Sequence, residues 1–167
     1  MMLIRHAVQA DLPAVAAIQV TSWRVAYKGL LSDDYLGAPV ERDLKAKWVG
    51  ADIPRDNICL VAEDGGIVVG FIYVLGDKSP AYIDNLHVDP TRKRSGIGAA
   101  LMREAARALR DRGHDSTYLT VITDNQQAVS FYRKMGGEFG AAQDELLYGE
   151  PVQSYPVHWH TLDALLS

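Results

Sequence analysis

Cysteine is almost absent: Cys59 is the only one among 167 residues, and it lies in the apolar run Ile58-Cys59-Leu60-Val61-Ala62. Neither an intramolecular disulfide nor a cysteine-based zinc site can form, and a reducing cytoplasm fits that usage. Long hydrophobic runs are missing too. No stretch approaches the roughly 20 apolar residues that cross a bilayer. The opening Met1-Met2-Leu3-Ile4-Arg5-His6 lacks a basic segment followed by an apolar one, so neither secretion nor membrane spanning is expected. No repeat period and no low-complexity segment is visible, which sets aside solenoids and linkers. A basic excess is also lacking: 17 Lys plus Arg face 21 Asp plus Glu, for a net charge of -4. A broad nucleic-acid footprint is therefore not expected, and any anion site must be local.

What is present suits one α/β domain over residues 1–167, with 48% hydrophobic and 23% charged residues. Leu3–Val8 reads as a strand. Asp11 is a plausible N-cap and Pro13 a first-turn residue of a helix that carries Leu12, Val15, Ala16, Ile18 and Gln19 and runs to about Tyr27. A second helical patch runs from Val40 to Val49, with the segment between the two irregular. Asn57–Glu63 and Ile67–Leu75 are β-branched runs joined by Asp64-Gly65-Gly66, a hairpin pattern. Ala81–Val88 and Tyr118–Ile122 read as strands and Gly98–Arg112 and Gln126–Met135 as helices, with Gly113 and Gly136 as C-terminal caps. Glu145–Tyr148 and Tyr155–Trp159 close the chain as strands. The order predicts a mixed, mostly antiparallel sheet flanked by helices, with a parallel crossover between Ala81 and Ile122.

The stretch Val88-Asp89-Pro90-Thr91-Arg92-Lys93-Arg94-Ser95-Gly96-Ile97-Gly98-Ala99-Ala100-Leu101 leads from a strand through a basic, glycine-containing turn into a helix. First-turn amides carry positive partial charge, and glycine lets a phosphate approach the backbone, so this is an anion cradle with Arg92, Lys93 and Arg94 beside it. A solvated basic face with capping glycines is the bland alternative. The dinucleotide fingerprint fails because Leu101 fills its third small position. The triphosphate loop fails because Lys follows neither glycine.

The run Val88-x-Pro90-x-x-Lys93-x-x-Gly96-x-Gly98-x-x-Leu101 resembles motif A of the GNAT superfamily of N-acetyltransferases, and Asn125-x-x-Ala128-x-x-Phe131-Tyr132-x-Lys134-x-Gly136 resembles its second core motif. Weaker likeness extends through Asp11-Leu12-Pro13, Ser22-Trp23 and Ala26-Tyr27 and to the last strands. Two departures stand out. Lys93 and Arg94 occupy positions where Arg or Gln and a glycine are commoner, and Gly137 replaces a usual Phe, leaving a core position to Phe139 or another side chain.

The resemblance implies a GNAT-like domain whose strand Ala81–Val88 is bulged and splayed from Tyr118–Ile122. It implies acetyl-CoA as co-substrate, held at Leu86, His87 and Val88 by the strand backbone and at Lys93, Arg94, Ser95, Gly96, Ile97, Gly98 and Ala99 by the cradle. Asn125 would bond the pantetheine arm or cap its helix, and Tyr132 would bind the coenzyme and protonate the departing thiolate, as a phenol suits. Asp84, His87 and Glu63 are candidate bases for the amine, Asp84 foremost. Trp23 and Tyr27, with Tyr35, would line the acceptor pocket. His158 and His160 flank Trp159 and read as a surface pair rather than metal ligands. The implied activity is acetyl transfer to a primary amine of a small molecule by direct attack. The alternatives are a protein or peptide amine, N-terminal or lysine, as acceptor, and a non-catalytic acyl-CoA sensor. A homodimer is a common assembly for such domains. Neither a metal nor a nucleic-acid or membrane partner is implied.

Overall fold

The computed structural model describes residues 1–92 and 95–167. Its elements are β1 (Met2–His6), α1 (Leu12–Ala26), α2 (Asp33–Leu36), α3 (Ala38–Trp48), β2 (Ile58–Asp64), β3 (Ile67–Leu75), β4 (Ala81–Val88), α4 (Ile97–Asp111), β5 (Thr117–Ile122), α5 (Gln126–Lys134), β6 (Glu138–Phe139), β7 (Gln143–Leu147), β8 (Glu150–Trp159) and α6 (Asp163–Leu166). The strands form one open sheet in the order β1-β2-β3-β4-β5-β8-β6, with β7 also on β8. Every pairing is antiparallel except that of β4 with β5, where α4 makes the crossover.

Helices cover both faces. On one, α4 turns Ile97, Leu101, Met102, Ala105, Ala106 and Leu109 onto the sheet, where they meet the inward residues of β2–β5 and β8 and the buried side of α5 and α6. On the other, Leu12, Val15, Ala16 and Ile18 of α1 pack with Trp48 of α3 over Val61 and Phe71. Burial pushes the Cys59 thiol up to about 12, which leaves it a packing residue.

Several local expectations are corrected. Asp11 does not cap α1 with its side chain. Its carboxylate accepts from the Val8 amide at 2.8 Å and from the Arg5 guanidinium at 2.8 and 3.0 Å, which ends β1 at His6 and holds the Asp11 carboxyl below its ordinary range. The irregular stretch after α1 contains α2, capped by Ser32, whose Oγ accepts from the Tyr35 amide at 3.1 Å. β8 is longer than expected, running through Pro151 and Pro156. Pro156 sits opposite Thr120 on one side and where β6 gives way to β7 on the other, so its missing N–H interrupts neither ladder. At Gly137 a Cβ would collide with Val157 and lie 3.0 Å from Trp159, so these two side chains occupy the space beside it, Trp159 anchored by its indole N–H to the Met135 carbonyl at 3.0 Å.

Candidate active site

A parallel pair that began as a continuous ladder would leave no cleft, but β4 and β5 pair only at Ala81–Thr117 and Tyr82–Tyr118 and then part. Among the described residues, no strand pairs with the β5-facing side of β4 beyond Tyr82. Which backbone groups face that opening follows from antiparallel alternation. The Asp89 amide donates to Val69 at 2.8 Å, so Asp89, His87 and Asn85 bond toward β3, while the N–H and C=O of Leu86 and Val88 face the gap. A register shift between Tyr73 and Val74 leaves Asp84 as the extra residue of β4, a bulge. Ile83 stays in the α4 core, whereas Asp84 and Asn85 both emerge toward α1.

The opening is a cavity of about 1120 Å³ at the carboxyl ends of β4 and β5, where crevices of α/β sheets bind ligands. Its lining includes Asp84, Leu86, His87, Val88, Gly96, Ile97, Gly98, Ala99, Asn125, Tyr132, Trp23 and Tyr27. The structure thus brings together most of the residues read from the sequence. Ser95 is not among the lining residues; its Oγ donates to the Arg92 carbonyl. Lys93 and Arg94 lie outside the described residues. Arg92, the remaining cation of the cluster, is tied to Asp64 at 2.6 Å and also lines the cavity.

At the α4 end, Gly96 precedes the helix with φ +81°, a left-handed conformation that favours glycine and lets the chain turn its first amides toward the cleft. Gly98 answers a different need. A Cβ there would lie 3.3 Å from the Phe131 ring, so the small residue lets α5 pack against the first turn of α4. Asn125 caps α5, its Oδ1 accepting from the Ala128 amide at 3.3 Å, which leaves its amide nitrogen as a donor. Two turns further along, Tyr132 is 9% exposed, with its ring against Phe131 and Trp159. Its hydroxyl has no hydrogen-bond partner among the described residues, and burial, then Tyr27 and Tyr82, pushes the phenol well above its ordinary value.

Asp84 is held by a directional chain of bonds that runs from α3 through α1 to β4 on one face of the sheet. The Trp48 indole donates to Gln19 Oε1 at 2.6 Å, Gln19 Nε2 donates to Asn85 Oδ1 at 3.0 Å, and Asn85 Nδ2 donates to Asp84 Oδ2 at 2.9 Å. Lys47 Nζ approaches the same carboxylate at 3.4 Å. Trp donates only and each amide accepts at oxygen and donates at nitrogen, so the order of the chain fixes the amide orientations. The other candidate bases fare differently. His87 Nδ1 lies 2.8 Å from Ser22 Oγ on the α1 side of the cavity. Glu63 is not in the cavity at all, because it pairs with Arg5 at 2.9 Å across β1 and β2.

The far end is aromatic. Trp23 lies edge-on to Tyr27 at 5.2 Å and to Tyr148 at 5.3 Å, and Tyr35 lies 5.2 Å from Tyr148, with its hydroxyl donating to Asp43 at 2.8 Å. Tyr82 and Tyr148 were not singled out from sequence, since a tyrosine in a strand or hairpin carries no local signal of facing a cleft. Burial, then Glu145 and Tyr82, pushes the Tyr27 phenol up to about 12. The histidine pair lies elsewhere: His158 stacks on Tyr118 and His160, and His160 Nε2 is 2.9 Å from Glu138. No three metal-ligating side chains converge among the described residues.

Comparisons with known proteins agree with this architecture. An uncharacterized N-acetyltransferase, YuaI, of Bacillus subtilis is 25% identical over 170 residues, covering 99% of this chain and 96% of that protein. The spermidine N(1)-acetyltransferase of Thermoplasma acidophilum is 25% identical over 131 residues, covering 75% of this chain and 81% of that protein. The crystal structure of the PaiA N-acetyltransferase of Thermoplasma acidophilum with coenzyme A superposes with a TM-score of 0.69 at 21% identity, over 93% of this chain and 98% of that one. The sequence profile described as Acetyltransferase (GNAT) family matches residues 17–137, which span both strand-helix units that frame the cleft, and the chain belongs to that family of acetyltransferases.

Proposed function

We propose that the chain transfers the acetyl group of acetyl-CoA to the primary amine of a small molecule by direct attack. The observation that carries this reading is the parting of β4 from β5. It joins in one cavity an anion-binding helix terminus, unpaired strand amides, a buried phenol and a carboxylate at a bulge. The residues present fit the co-substrate. The first-turn amides of α4 after Gly96 suit a pyrophosphate, and the backbone of Leu86 and Val88 with the Asn125 amide nitrogen suits the amides of a pantetheine arm. Acetyl-CoA bound there supplies an activated acetyl thioester.

In this reading the Leu86 N–H points at the acyl oxygen and polarises it. Tyr132 holds a proton at Oη throughout the neutral range, where a leaving thiolate needs one. Asp84, oriented by Asn85, takes the proton of the amine directly or through water. Coenzyme A in the PaiA structure supports the co-substrate, and the spermidine enzyme supports a small-amine acceptor.

The test is release of free thiol from acetyl-CoA with a panel of polyamines, aminoglycosides, amino acids and N-terminal peptides. Turnover with a small amine supports the reading. Turnover with peptides alone moves the acceptor to protein amines, and coenzyme binding without turnover on any amine makes the domain a sensor.

A further inference from the structure

Two carboxylates face the aromatic end of the cavity, and only one is compensated. Asp84 has Asn85 and Lys47. Glu145, on β7, has one carboxylate oxygen sealed from water and without a hydrogen-bond partner among the described residues. Strand alternation puts it there: Leu146 is 72% exposed on the outer side, while Glu145 and Leu147 turn inward to the cavity. Glu145 lies close enough to Tyr27 and Tyr82 to help push both phenols up, after burial.

A carboxylate oxygen taken out of water without a partner is unfavourable in the free protein and becomes favourable once a cation completes it. The surroundings suit a cation on a hydrocarbon chain, because Trp23, Tyr27, Tyr82 and Tyr148 offer ring faces and edges of the kind that hold alkylammonium groups. Lys47 is committed to Asp84.

We infer that Glu145 anchors a second ammonium of the acceptor, so that the substrate class is a diamine or longer oligoamine: one cationic end rests on Glu145 while the other, freed of its proton, reacts beside Asp84 and Tyr132. The inference rests on the acetyltransferase reading for the reacting end, but the anchor is a binding site in its own right. Glu145 is a specificity residue here, since the proposal gives it no proton to move.

The experiment uses calorimetry on the full chain saturated with coenzyme A, with 1,4-diaminobutane and n-butylamine as probes. The wild type is expected to bind the diamine at least roughly tenfold more tightly than the monoamine, the scale of a hydrogen bond to a charged group. Glu145→Gln, close to isosteric, is expected to erase that preference while leaving coenzyme A and monoamine affinity unchanged. Equal affinities for the two probes in the wild type overturn the inference with no variant needed. A preference that survives Glu145→Gln also overturns it. So does a variant that lowers kcat equally for both amines at unchanged KM, which would make Glu145 the base. Preferential diamine binding without thiol release leaves the anchor standing and removes the acetyltransferase reading, so the two failures are distinguishable.

Discussion

At its α4 end the cavity presents backbone donors, the amides after Gly96 and the strand N–H groups of Leu86 and Val88 that face no strand among the described residues, with the Arg92 side chain at the rim. At its β7 end it presents side-chain acceptors and rings: Asp84, Glu145, Trp23, Tyr27, Tyr82 and Tyr148. The donor end depends on chain direction and on glycine, and tolerates varied side chains. The acceptor end depends on which side chains α1, β4 and β7 deliver to one place. In the proposed reading, a cavity of opposite polarity at its two ends would orient a substrate pair, an anion at one mouth and a cation at the other, with Tyr132 between them.

The sharpest way to break that comparison is at the meeting point. Tyr132→Phe removes only the hydroxyl and is expected to lower kcat by about 10²–10⁴-fold, with acetyl-CoA affinity unchanged. Steady-state kinetics showing full activity would place the proton elsewhere, and loss of coenzyme binding would make Tyr132 a packing residue.

Gln19→Leu acts on the acceptor end alone. It strips the partner from the Trp48 indole and from Asn85 Oδ1, two buried groups that each cost about 1–3 kcal/mol when unpaired. Urea unfolding should show a loss of about 2–6 kcal/mol, and kcat should fall through the released Asp84 while the Kd of acetyl-CoA holds. A fall in coenzyme affinity instead would show that the two ends are not independent.

Ala99→Asp acts on the donor end alone. A carboxylate in the first turn of α4 favours the helix, so Tm should hold or rise, while the Kd of acetyl-CoA rises about tenfold or more by repulsion of its pyrophosphate. Gly98→Asp would not separate these effects, because its Cβ would press on Phe131 at 3.3 Å. Unchanged affinity in the Ala99 variant would move the anion site away from α4.

The smallest expected effect is an absence. Burial raises the Tyr132 phenol above its ordinary value near 10, so it stays protonated across the working range and the pH profile of kcat should show no alkaline limb from it below pH about 10. A limb in that range that disappears in Tyr132→Phe would contradict the buried assignment.

The donor end was legible in the sequence because its function is a property of local backbone. Val88 to Leu101 reads as strand, turn and helix from spacing alone, and Asn125 to Gly136 reads as a capped helix. Asp84 was legible only as a polar residue in an apolar strand; that it sits on a bulge depends on the register of β3 against β4. Glu63 showed the same pattern and turned out to pair with Arg5, because the edge strand β1 lies beside it.

Composition, hydrophobic periodicity and the two glycine-bearing motifs by themselves determined the α/β class, the strand-helix order and the place of the glycine-bearing turn before α4. Tertiary structure alone decided how Asp84 is oriented and which side chains line the aromatic end of the cavity. Gln19 bonds Asn85 across 66 positions and Trp48 bonds Gln19 across 29, and Glu145 reaches the cavity only because β7 adds to β8 beyond β5. The physical reason is range: helix starts and turns are set by neighbours within a few residues, whereas a polar side chain acquires its role from whichever distant strand or helix the packing of the core sets beside it.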